Sequence, residues 1–222
     1  MYEPTHFIKT FVTDLVAALG KLKSNAKLTQ LQKFWLGFCL TAMLLTNSMC
    51  WGKFDRASLG EYKIAAFSWM FREAKVAWNY LLLASVSLVL EQHGITEGEL
   101  VLDESDRSRS KRTKRIHKAH KQKHKASGGY VNGQTMVLLL LVTQSVTFPV
   151  GFAFYMPDPV LTAWVKEDKR LKKEGVAKKD RPVQPERDSL YPTKTQLALR
   201  LLQEFKDAHG GIKIKAVLAD AL

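Results

Sequence analysis

The sequence predicts an α+β to α/β protein: a helical bundle over residues 1–95, then a mixed β-sheet with a crossover helix over residues 96–222. Three observations lead there. Apolar residues recur at helical spacing through the first part. Beyond residue 96, short runs rich in Leu, Val and Phe are bounded by Gly, Pro and Asp, as strands are. Between the last two strand-like stretches lies one more helical repeat, Lys194 to Ala208. With 222 residues and 46% hydrophobic content the chain can bury a core, which excludes wholesale disorder. A formal net charge of +13 implies a polyanionic partner, either nucleic acid or an anionic membrane face.

In Thr5 to Leu22, Phe7, Phe11, Leu15, Leu19 and Leu22 line one helical face. Helices are expected next over Leu28 to Cys50, Ser58 to Lys75 and Val76 to Gln92, with Gly52 as a break and Gly94 as the last terminator. The turn Trp51 to Lys63 presents Lys53, Arg56 and Lys63. It reads either as a helix-turn-helix with Arg56, Ser58 and Lys63 toward bases, or as a loop with solvated charges. Cys39 and Cys50, with no ligand partners nearby, are expected to be reduced core residues of a cytosolic protein. Glu3 and Asp14 interrupt any signal-peptide pattern, so export is not expected. Phe34 to Gly52 and Val76 to Leu90 carry no formal charge, which leaves a two-helix membrane protein as an alternative. Their polar residues favour buried helices of a bundle.

In the second part, Glu99 to Ser105 is an apolar run that stops on Asp103 and Glu104. From Ser105 to Ser127 there are ten Lys or Arg against one acid, a segment expected to form an arm that neutralises phosphates. Its cations are Arg107, Arg109, Lys111, Arg112, Lys114, Arg115, Lys118, Lys121, Lys123 and Lys125. His117, His120 and His124 are a zinc alternative, weakened by the absence of cysteine and the surrounding lysines. Gln134 to Gln144 and Phe148 to Tyr155 read as antiparallel strands, and residues 161–190 as a charged, solvated insertion interrupted by Pro182 and Pro185. The Lys194 to Ala208 helix shows Leu197, Leu201, Phe205 and Ala208 on one face. The final strand, Ile212 to Asp220, again closes on an aspartate.

That order has a chemical consequence. A right-handed crossover through the Lys194 to Ala208 helix lays the last strand parallel to the first and brings both C-terminal ends together. Asp103 and Asp220 then face each other and repel unless a cation lies between them; all-oxygen ligation suits Mg²⁺ or Mn²⁺. The plainer alternative for each is a polar residue that marks a strand end.

Leu-Val-Leu-Asp103-Glu-Ser with its basic continuation, Gly-Tyr-Val-Asn-Gly133, Phe148-Pro-Val-Gly-Phe152 and Ala-Val-Leu-Ala-Asp220-Ala-Leu222 resemble the DDE transposases of cut-and-paste bacterial insertion sequences. The helical first part, with Asn47 to Trp51 and Ala66 to Phe71, fits their end-binding region. The resemblance implies an incomplete ribonuclease-H-like core from residue 96 and two-metal phosphoryl transfer on DNA, with Asp103 and Asp220 as catalytic metal ligands. It also implies a third carboxylate, a helix-borne Glu beyond the second Asp. The chain ends two residues after Asp220, so the expectation is a truncated transposase, defective alone. Glu204 is the weaker candidate for a ligand within the chain. Expected partners are the DNA of element ends, a second copy, and a complementing C-terminal fragment; no membrane partner is expected. The expected location is the cytoplasm, on the nucleoid when bound to DNA. A DNA-binding regulator without cleavage is the alternative.

Overall fold

The computed structural model describes residues 3–110, 112, 116–123 and 128–220. It divides into two compact units, with the boundary between Ile95 and Thr96.

The first unit is helical: α1 (His6–Leu22), α2 (Gln30–Thr46), α3 (Trp51–Ala57), α4 (Ile64–Glu73) and α5 (Trp78–Gln92). Thr29 starts α2 with a reciprocal cap, its hydroxyl accepting from Gln32 N at 3.2 Å while Gln32 Oε1 accepts from Thr29 N at 2.8 Å. Leu15, Leu19, Leu81, Ala84 and Leu88 form one core cluster, filled from α1 and α5. A second joins Phe38, Cys39, Ala42, Phe54 and Phe67; the Trp51 and Phe67 rings stack at 6.0 Å. Three expectations change here. Gly52 lies inside α3, and the chain breaks earlier, after Asn47, which takes the left-handed conformation at φ 43°. Ser58 is fully buried and shapes the turn: its hydroxyl donates to Asp55 O at 2.6 Å and accepts from Tyr62 N at 3.1 Å, so it cannot face a base. Cys50 is exposed, because it caps α3 rather than continuing α2. Among the described residues no single helix is long and apolar enough to cross a membrane. The pairs α2–α3 and α4–α5 would pass only together and are bent by 91° and 94°.

The second unit is a mixed sheet of β1 (Glu97–Ser108), β2 (His120–Lys123), β3 (Tyr130–Val142), β4 (Thr147–Tyr155) and β5 (Lys213–Ala219), with α6 (Pro159–Lys173) and α7 (Lys194–Ala208). β1 lies between antiparallel β3 and parallel β5; β2 and β4 pair with successive stretches of the other edge of β3. This is the α+β arrangement that the strand order and the crossover helix predict, and it is consistent with the ribonuclease-H-like core that the resemblance implies. One face is closed by α7, whose Leu197, Ala198, Leu201 and Phe205 are buried with Leu100, Leu102, Val137, Leu139 and Leu141. Gly151 lets α7 settle: a Cβ there would stand 3.2 Å from Leu201 Cδ2.

Two stretches differ from expectation. β1 does not stop at Asp103 but stays paired with β3 to Ser108, and the basic segment supplies β2, so both ends of the described part of the expected arm are sheet. Inside it Gln122 is buried; its amide donates to Thr135 Oγ1 at 2.8 Å, and that hydroxyl donates to Asp106 Oδ1 at 2.6 Å. Polar partners on β3 hold what apolar content could not. The other stretch is 161–190, expected as a solvated loop, which contains α6. Asp158 caps it, accepting from Val160 N at 2.8 Å and Leu161 N at 3.1 Å, with Pro159 in its first turn.

Candidate active site

The crossover expected from sequence is present. In the parallel β1–β5 ladder the last paired residues are Leu102 and Ala219, and the next residue on each strand is an aspartate, Asp103 and Asp220. Adjacent strands lie about 4.8 Å apart, so the two carboxylates leave neighbouring backbones at the same level. Pleat alternation gives their direction. Leu100 and Leu102 face α7, as does Val217, the partner of Leu100; Asp103 and Asp220 therefore project from the opposite face. Both are exposed, and Asp103 Oδ1 accepts the backbone N–H of Glu104 at 2.8 Å.

Cross-strand partners share a face, which locates the cations. Asp103 pairs with Leu138 and Arg107 with Gln134, while Lys121 pairs with Asn132 and Lys123 with Tyr130. All four β3 partners are of one parity, so Arg107, Lys121 and Lys123 project on the aspartate face. Lys121 lies over the Tyr130 ring, with Nζ 4.5 Å from its centroid. Arg109 and Arg112 are exposed in the loop after β1. Lys118 is differently engaged: its Nζ donates to Phe154 O at 2.9 Å. Lys111, Lys114, Arg115 and Lys125, together with His124, lie outside the described residues. Arg56 and Lys63 are exposed in the first unit.

Other candidates are held elsewhere. Glu204 is on α7, which packs on the far face of the sheet, and its carboxylate is 3.5 Å from Arg200 Nε. The His117 and His120 rings pack against Phe154 and Tyr155, consecutive residues of β4 that point to opposite faces. No group of three His, Cys, Asp or Glu that could hold a metal occurs among the described residues. The carboxylates beside Asp103 have protein partners. Glu104 pairs with Lys194, at the first turn of α7, and Asp106 accepts from Thr135 and, at 3.2 Å, from Gln122. Lys194 was not singled out from the sequence; the signal was the Thr193 and Gln196 capping box, which sets where α7 begins.

The parallel β1–β5 pair thus presents two aspartates on the face that also carries Arg107, Lys121 and Lys123. Comparison with known protein families matches residues 71–222 to the DDE superfamily endonucleases, and the chain belongs to that family. Membership makes DNA its substrate class and transposase-like DNA cleavage its class of activity. No curated protein and no solved structure matches the chain.

Proposed function

We propose that the chain is a transposase of a cut-and-paste bacterial insertion sequence, cleaving DNA and joining strands at the ends of its element. The observation that carries this is the alignment of Asp103 with Asp220 immediately beyond the Leu102–Ala219 pair. Two adjacent carboxylates of the same face form an all-oxygen donor set, which fits Mg²⁺ or Mn²⁺ completed by substrate phosphates. Held by Asp103 and Asp220, such ions would supply activation of a water or a 3′-hydroxyl and stabilisation of the leaving oxygen. The chain's own residues supply the rest. Asp103 and Asp220 hold the ions, Arg107, Lys121 and Lys123 hold the DNA backbone over the same face, and Lys194 keeps Glu104 out of the set. A third, helix-borne carboxylate would complete the set, as the resemblance to DDE transposases implies.

Manganese binding followed by electron paramagnetic resonance tests the site without requiring turnover. Bound Mn²⁺ is expected in the unaltered chain and is expected to be lost in Asp103→Asn and in Asp220→Asn. Equal Mn²⁺ binding by all three would overturn the metal assignment, and the chain would then be a DNA-binding regulator.

A further inference from the structure

The stretch 159–188 leaves the sheet and returns to it as a closed arm. Its root is Asp158, 2% exposed, whose Oδ2 accepts the N–H of Asp188 at 3.0 Å while Oδ1 caps α6. Farther out, two clasps tie α6 to the returning chain: Trp164 Nε1 donates to Pro182 O at 2.9 Å, and Arg181 pairs with Asp168 at 2.8 Å. Trp164, Asp168 and Leu171 thus mark the inward side of α6. Leu161 is its only buried residue, so the helix stands clear of the core.

Opposite the clasps runs a row of cations. Lys166, Lys169 and Lys173 are three and four residues apart, hence on one face, and all are exposed. The acids of α6 and the one just after it have other partners: Glu167 and Glu174 both pair with Arg170, and Asp168 with Arg181. Lys166 and Lys169 are three residues apart and Lys169 and Lys173 four, so like charges are neighbours along the row and repel one another in an isolated helix. A polyanion along the row removes that repulsion. At 1.5 Å per residue the row is about 10 Å long, close to three steps of one DNA strand at about 3.4 Å each.

The arm's root also has a defined place in the sheet. β4 runs parallel to β1, since both are antiparallel to β3, and its last residue, Tyr155, pairs with Thr135, the partner of Asp106. The arm therefore springs from the sheet end that carries Asp103 and Asp220.

We infer that the α6 arm is a second DNA-contacting element, its Lys166–Lys169–Lys173 row lying along the phosphate backbone of a duplex that enters the aspartate end of the sheet. This rests on the reading that the chain acts on DNA.

The test is fluorescence anisotropy of the full chain with a short labelled duplex over a range of salt concentrations, comparing the unaltered chain with a Lys166→Gln, Lys169→Gln, Lys173→Gln variant. Each phosphate contact contributes about 0.9 to the slope of log K against log salt, so the variant's slope is expected to fall by about 2.7. Amine acetylation read by mass spectrometry, on the unaltered chain with and without duplex, is expected to show these lysines protected by DNA, and needs no variant. If the unaltered chain binds duplex while the slope is unchanged and the lysines stay reactive, the arm is not a DNA contact and the DNA reading stands. Failure of the unaltered chain to bind duplex even at low salt would overturn both.

Discussion

Cys39 and Cys50 are the same side chain in opposite settings. Burial among the aromatic rings pushes the Cys39 thiol up to about 12. At Cys50 the backbone N–H groups of Lys53 and then Gly52, turned toward the exposed sulfur at the start of α3, hold its pKa below the usual thiol value. Thiolate is the reactive form, so iodoacetamide at neutral pH is expected to modify the native chain once, at Cys50, by peptide mass mapping. Labelling of Cys39 without denaturant would contradict the burial. His209 is a second case. Burial holds its imidazole below the ordinary histidine value, and Nε2 is enclosed without a hydrogen-bond partner among the described residues. The unfolded chain therefore binds this proton more readily than the folded one. Its contribution to stability is complete above the unfolded histidine pKa and falls as pH drops through that value toward the lower folded one. The urea midpoint should decline between about pH 7.5 and pH 5.5, on either side of the usual histidine value, and decline less in His209→Phe.

Among the elements, the β1–β3–β2 junction depends on Gly133. A Cβ there would stand 2.6 Å from the Arg107 carbonyl oxygen and collide with Gln122 Oε1. Gly133→Ala is expected to cost about 1–3 kcal/mol by overpacking, read as a lower urea midpoint. The junction also shows what the sequence hid. β1 beyond Asp103 and all of β2 are polar, so their composition resembles a solvated arm. Pairing with β3 and the Gln122–Thr135–Asp106 network hold them in the sheet, and neither is visible in a one-dimensional pattern. By contrast α7 and β5 were legible, because regular apolar spacing, a capping box and a double glycine all agree there. α6 was missed although Asp158 followed by Pro159 is a helix-start signal; its charges and the later prolines outweighed that signal.

For the molecule as a whole, the net charge of +13 points to a polyanion, and the second unit shows where part of that charge lies. Arg107, Lys121 and Lys123 share the face of the aspartates although they belong to two strands. The triple change to Gln is expected to lower the salt slope of duplex binding by about 2.7, as the α6 row does. The two sets belong to different elements, and changing both is expected to add. The partnership of Asp103 with Asp220 was legible because a crossover has one favoured hand. The face on which they lie needed the paired register, since a slip of one residue turns every side chain over.

The parallel β1–β5 pairing has a consequence in time. Asp103 leaves the ribosome 117 residues before Asp220, by subtraction of their numbers. At about 5–20 residues per second that is roughly 6 to 23 s of synthesis, during which a nascent chain carries Asp103 without Asp220 beside it. The proposed pair of aspartates therefore comes together only when β5 joins β1, late in synthesis.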